Sequence, residues 1–341
     1  MRFFACLFFL NLFLVDVSAQ TLGGTSTYNF LRMQWTPQAN VLGGRNISLF
    51  NNDIGLYLDN PALLRESHHG NISANFTSIA PTIKGLFGTG AYYHERLNTT
   101  FAGGIAHLLY GNEIQTDAAG NIMGNFTAYD QMISIAASRQ YEERWFYGAN
   151  IKFINSRYGA YSSLGLAADI GINYYDEERM LQAGFAARNM GVQVKTYANQ
   201  SEDLPFDLLL GVTKQLEKAP IRFSLTAQRL HQFDLLYNDQ VFNIDNYGAT
   251  VKNGFGSKIL SHLIAGTDLI VGEKVVLSLG YNFLRRKELQ IRNLASGLTG
   301  FGYGLRLNLN SLQFQYARTH YQSTYSQHQA SIVYKLVNYE K

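Results

Sequence analysis

The chain has 341 residues, enough for one large barrel or two ordinary domains, and carries 31 Gly, 22 Tyr and 22 Phe but only 5 Pro. Its formal net charge of +3 gives no electrostatic case for a nucleic-acid partner, and none is expected. One cysteine, Cys6, excludes an internal disulfide.

Residues 1–19, MRFFACLFFLNLFLVDVSA, set Arg2 before an apolar run from Phe3 to Val15 and end in Val17-Ser18-Ala19. This is the layout of a secretory signal peptide, and the run is too short for a membrane-spanning helix. Cleavage is expected between Ala19 and Gln20. Cys6 lies far from that point, so no lipoprotein anchor is expected. The mature chain then has no cysteine for thiol catalysis or metal binding. No later stretch is apolar for long enough to cross a bilayer as a helix. An exported chain that resides in a membrane must therefore be a closed β-barrel, because only helices and closed barrels satisfy every backbone group there.

Residues 20–68 lack sustained alternation and carry turn signals at Thr36-Pro37, Gly43-Gly44 and Asn60-Pro61. Short helices and loops are predicted, forming a plug inside a barrel or a cap against its mouth. The apolar side chains Phe30, Leu31, Trp35, Leu42, Leu56 and Leu63 favour burial over a disordered leader.

Residues 69–341 read as an antiparallel transmembrane β-barrel. Strands are predicted at 71–80, 84–96, 99–112, 123–140, 145–157, 162–175, 180–195, 206–215, 220–234, 257–271, 274–287, 299–309, 312–323 and 325–336. Leu164, Leu166, Ala168, Ile170, Ile172 and Tyr174 alternate with Gly165, Ala167, Asp169, Gly171 and Asn173. Leu277, Leu279, Tyr281 and Phe283 alternate with Ser278, Gly280 and Asn282. A solvent face is normally rich in Lys, Glu and Thr, whereas here the second face is Gly, Ala, Ser and Asn. Charged residues are only 16% of the chain and gather in turns such as Asp176–Arg179, which fits a narrow lumen rather than bulk water. The count of about fourteen is even and places both termini on the periplasmic side. Tyr197–Pro205 and Asn238–Asn253 are predicted as surface loops.

The clearest hairpin lies in Thr299–Tyr321. With Asn310-Ser311 as a two-residue turn, Leu309 faces Leu312, Leu307 faces Phe314, Leu305 faces Tyr316 and Tyr303 faces Arg318. The other face pairs Asn308 with Gln313, Arg306 with Gln315, Gly304 with Ala317 and Gly302 with Thr319. A slip of one residue would destroy this sorting. The strands are on the order of ten residues, nearer the ~9–11 of a tilted membrane strand than the ~5–6 of a soluble one. Arg306, Asn308, Gln313 and Gln315 are therefore predicted to face the lumen, and Leu305, Leu307, Phe314 and Tyr316 the lipid.

No Ser-x-x-Lys, Gly-x-Ser-x-Gly, His-Glu-x-x-His or phosphate-binding Gly-Lys-Ser/Thr motif occurs. No catalytic residue, metal site or cofactor is expected. His68-His69 would point to opposite sides of a strand and make a poor metal clamp. Asp268 is a candidate lumen carboxylate. Sequons such as those at Asn46 and Asn75 carry no expectation of glycans in a bacterial outer-membrane protein.

Three motifs carry a resemblance. They are LGGRNISLFNNDIGLYLDNPALL with Gly43-Gly44, Asp53 and Asn60-Pro61-Ala62-Leu63, then RNMGVQVKTYANQSEDLPFDLLLGV with Asn189-Met190-Gly191 and Leu204-Pro205, and last HLIAGTDLIVGEKVVLSLGYNF ending in Gly280-Tyr281-Asn282. Their order resembles the PorV/PorQ branch of barrels similar to the fatty-acid transporter FadL. The start GGTSTYNFLRMQWTPQANVLGG is most similar to the PorQ family of the type IX secretion system of Bacteroidota. Where that family often has an Arg-Ala pair before Leu-Gly-Gly, Gln38-Ala39-Asn40 stands here. The resemblance implies a non-enzymatic outer-membrane component that anchors or assembles the surface attachment complex for secreted cargo. It implies a PorZ-like surface protein, PorU-like and PorV-like components and outer-membrane lipid as partners. The alternative is a FadL-like channel for hydrophobic small molecules.

Overall fold

The computed structural model describes residues 26–235, 254–289, 297–322 and 325–336. The predicted signal peptide with its cleavage point at Ala19 and Gln20, and the expected loop at Asn238–Asn253, lie outside these residues.

Fourteen strands form one closed antiparallel barrel. They are β1 (Asn71–Ser78), β2 (Lys84–His94), β3 (Thr99–Thr116), β4 (Ile122–Tyr141), β5 (Trp145–Tyr158), β6 (Tyr161–Asp176) and β7 (Leu181–Lys195). The second half holds β8 (Asp207–Gln215), β9 (Ile221–Ala227), β10 (Leu263–Val271), β11 (Val275–Asn282), β12 (Phe301–Asn308), β13 (Leu312–Gln322) and β14 (Tyr325–Lys335). Each strand pairs with its sequence neighbours, and β1 closes on β14 from Asn71↔Lys335 to Ser78↔His328. Closure leaves no open edge, which is what a sheet surrounded by hydrocarbon requires.

Burial alternates along the strands, as in β1 and β5, because successive side chains point to opposite faces. The outer face is bulky and apolar: Ile105, Ile133, Ile135, Ile151, Leu166 and Leu279 are all exposed there. An apolar exterior this extensive is stable only against lipid. None of the turns 95–98, 142–144, 177–180, 216–220, 272–274 and 309–311 exceeds five residues, whereas at the other rim β7 and β8 are joined by 196–206, Ala227 is followed by β10 only at Leu263, and Asn282 by β12 only at Phe301. In outer-membrane-type barrels the short-turn rim faces the periplasm and the long-loop rim faces outward.

The β12–β13 hairpin has the register read from sequence, including Leu305↔Tyr316, Leu307↔Phe314 and Arg306↔Gln315. Three strands fall more than two residues short of their predicted ends. A strand expected to run to 234 stops at Ala227, because Arg229 takes a left-handed φ of 53° and its N–H is held by Asp207 Oδ1 at 2.7 Å. A strand expected from 257 begins at Leu263, since Phe255–His262 forms a helix. A strand expected to 287 ends at Asn282, whose side chain accepts the Arg285 N–H at 2.9 Å and caps the helix Phe283–Glu288. Conversely, β3 and β4 outrun their predicted ends and form a ribbon beyond the barrel wall, where Ile114, Ile122 and Met123 are exposed.

Candidate functional site: the segment threaded through the lumen

Ser26–Gly70 occupies the lumen. At the long-loop rim Thr27 N–H donates to Asp203 O at 2.9 Å, and Tyr28 hydrogen-bonds Ser163. At the short-turn rim Phe50 packs against both His68 and Tyr175 before Gly70 hands over to β1. The segment thus passes from one mouth to the other. Along this path the described residues of the segment lie against the inner faces of the strands.

Its turns are built by short polar side chains. Thr36 Oγ1 accepts the Ala39 N–H at 3.3 Å and starts α1 (Pro37–Val41), with Pro37 at the first position where no N–H is needed. Asp53 and Asn60 cap the 3-10 turns Ile54–Leu58 and Pro61–Leu63 in the same way. Gly43 and Gly44 follow α1 at φ of 92° and 106°, which L side chains rarely adopt.

The wall receives the segment on glycine. A Cβ on Gly280 would meet Val41 O and Gly43 N, one on Gly171 would meet Asn60 Oδ1, and one on Gly148 would lie 2.6 Å from Pro61 C. The small inward face of the strands is therefore a set of seats for the segment's backbone. The three sequence motifs meet here too. Asn282 Nδ2 donates to Gly43 O at 2.8 Å, joining the first motif to the third. Asn189, at φ 57° in a bulge, donates through Nδ2 to Pro205 O at 3.0 Å within the second.

Electrostatics divide the lumen. On the β10–β14 side Asp268 is ion-paired to Arg222 at 2.6 Å and accepts Ser278 Oγ at 2.5 Å. Gln38 of α1 lies between Asp268 and Arg306, accepting Arg306 Nη1 at 3.2 Å. Arg306, Gln313 and Gln315 are buried on the inner wall; Asn308 is half-buried at the strand end, while Leu305, Phe314 and Tyr316 are exposed and Leu307 is half-buried on the outside. On the β2–β5 side Phe87, Leu108, Met132 and Ile154 pack with Phe30, Trp35, Tyr57 and Leu64 of the segment. Between the two sides, Asp59 of the segment lies 2.9 Å from Arg45 and 3.0 Å from Arg188 of β7, all three nearly excluded from solvent. Lys152 and Asp169 form a second buried pair at 2.6 Å. Neither the Asp59 triad nor the Lys152 pair was singled out from sequence, since each joins residues far apart in the chain.

His68 and His69 sit on and after a 3-10 turn rather than on a strand. Burial pushes the His68 imidazole down to about 4, so it is neutral. Nδ1 accepts the Arg65 N–H at 3.2 Å, which leaves Nε2–H to donate to Asn51 O at 2.8 Å. Burial likewise pushes the Asp53 carboxyl up to about 6, against the pull of the Gly55 N–H. Among the described residues no cluster of three or more metal-ligating side chains occurs.

No family model matches the chain, and no curated protein matches it. Among solved structures, a deltaS2 mutant of the TodX monoaromatic hydrocarbon channel aligns over 89% of this chain and 99% of its own, at 14% identity and a TM-score of 0.51. The CymD monoaromatic hydrocarbon channel aligns over 89% and 98% at 12% identity and a TM-score of 0.49. A Pseudomonas aeruginosa FadL homologue aligns over 85% and 96% at 12% identity and a TM-score of 0.46. The resemblance to a secretion family rests on the sequence motifs alone, and what this chain shares with TodX is the fold of a membrane barrel.

Proposed function

We propose that the chain is a non-enzymatic outer-membrane barrel that serves as a fixed platform for assembling exported proteins at the cell surface. Its partner would be a PorZ-like surface protein, with PorU-like and PorV-like components in the same assembly. The observation that carries this reading is the lumen filled from rim to rim by the chain's own segment, seated on glycines and locked by the buried Asp59 triad. A membrane-fixed platform acts by raising the effective concentration of the proteins it holds. The secretion motifs support the same reading. The test is a deletion strain: a PorZ-like protein should leave the outer membrane and secreted cargo should stay unattached.

A second reading, a channel for hydrophobic small molecules, is favoured by the fold shared with TodX, which speaks for it more than for the first. It is also favoured by the apolar half of the lumen, which lies near a bulge in β3 at Gly111 (φ 90°). In that reading the segment is a gate. Normal cargo attachment with poor growth on hydrophobic substrates in the deletion strain would establish the channel and reject the platform.

A further inference from the structure

The outer wall carries a groove of about 370 Å³ at the short-turn rim, lined by Lys274, Leu309, Asn310, Ser311, Leu312 and Tyr334. Main-chain hydrogen bonds fix its three parts. Asn308 N–H donates to Lys274 O at 2.7 Å, Leu309 N–H to Leu312 O at 2.7 Å, and Lys335 N–H to Ser311 O at 2.9 Å. The turn before β11, the β12–β13 turn and the end of β14 are thereby tied together, so the groove is a rigid feature of the wall.

Its composition changes with depth. Leu309, Leu312 and Tyr334 stand on the outer face and continue the apolar band of Leu307, Phe314 and Ile332. The Lys274 side chain is exposed at the rim, where the band ends. Asn310 and Ser311 add an amide and a hydroxyl at the same level. No acid lines the groove; Glu273, exposed on the same turn, is not among the lining residues. A tyrosine and a lysine at the edge of a hydrocarbon band are the side chains suited to the headgroup layer, one amphipathic and one able to snorkel.

We propose that this groove is a specific site for an anionic glycerophospholipid of the periplasmic leaflet. The phosphate pairs with Lys274, the glycerol ester region meets Ser311 and Asn310, and an acyl chain lies along Leu309, Leu312 and Tyr334. Charge complementarity and position decide the occupant. The floor is open to hydrocarbon and the one charged residue lining the groove is positive, so the ligand it fits is apolar on one end and anionic on the other. The site is separate from the lumen and does not depend on what the barrel assembles or conducts.

The test is native mass spectrometry of the full chain in detergent with equal phosphatidylglycerol and phosphatidylcholine. Wild type should retain phosphatidylglycerol in preference. Lys274→Gln should lower that retention about fivefold, the worth of one lysine at an anionic lipid surface, and Lys274→Arg should restore it. Equal retention of the two lipids by wild type means an unselective lipid shell and overturns the site, a result that needs no variant. Unchanged preference in Lys274→Gln also overturns it. Displacement of the lipid by millimolar inorganic phosphate would assign the rim to a free anion and overturn the lipid assignment.

Discussion

Asp59→Ala tests whether the threaded segment is held by its buried charges. Asp59 lies within ion-pair distance of both Arg45, which belongs to the segment, and Arg188, which belongs to the wall. Their side chains are 5% and 3% exposed, so removing the carboxylate strands two guanidiniums with little water to receive them. Arg45 keeps hydrogen bonds to Gln34 Oε1 and Arg32 O, but these are neutral acceptors. Breaking one buried pair costs about 3–5 kcal/mol, which is roughly two to four decades in the ratio of docked to undocked segment. The strand ladders do not involve Asp59, so the barrel should still form and show its heat-dependent gel shift. Planar-bilayer recordings should then display open events absent from wild type, and added protease should cut within residues 26–70. The exposed loop control Asp117→Ala should remain silent. Replacing the triad together, as Arg45→Met, Asp59→Leu and Arg188→Met, should recover much of the docking. A silent, protease-resistant Asp59→Ala protein would refute the reasoning.

Gly280→Val should undock α1, because a Cβ at this position meets Val41 O and Gly43 N, whereas Gly88→Val should be tolerated, since nothing stands within 4 Å of a Cβ there; protease cutting of the segment distinguishes them. Ile133→Arg, on the lipid face, should destabilise the barrel by about 2–4 kcal/mol if it reaches the midplane, read from urea-dependent refolding into vesicles. The pH dependence of docking should differ between wild type and Asp53→Asn. A carboxyl raised to about 6 in the docked segment stabilises docking fully below its ordinary pKa and loses that contribution as pH rises through 6. The advantage of Asp53→Asn should therefore grow between pH 4 and 6 and level off above. His68, held down at about 4, works the other way on acidification, which is why the variant must be compared with wild type at each pH.

The wall was readable because its signal is local. Alternation sorts Leu305, Leu307 and Phe314 from Arg306, Gln313 and Gln315 within a single hairpin, and one register satisfies both strands. The helices at Phe255–His262 and Phe283–Glu288 were read as strand because their apolar residues adjoin real strands and the helices are short. Helical spacing of Phe255, Ile259 and Leu260, and the capping Asn282, were the available signals. The interior was less legible. Asp268 stood out as an acid in an apolar run, but its partner Arg222 is 46 positions away. Arg188 and Asp59 lie in different motifs, and nothing in local spacing joins them. The glycines were visible, yet their reason is a segment far earlier in the chain, 87 residues from Pro61 to Gly148 and 239 from Val41 to Gly280.

A cylinder wound around its own leader has a fixed order of manufacture. The seam that completes the wall joins Asn71 to Lys335, the first strand to the last, 264 positions apart (335 − 71). Pairing at such separation is slow, and the sheet stays unrolled until the last strand has been made. The leader, already present, has glycine seats from β5 to β12 waiting for it, and these can be filled from the open side only before the seam shuts. Afterwards a chain whose ends emerge at opposite rims would have to be drawn lengthwise through a packed bore. The leader then behaves as a mandrel: the sheet, whose strand number and stagger set the diameter, winds around it, and it remains inside when the winding is done. Residues 26–70 supplied as a separate peptide to a closed barrel formed without them should fail to enter it.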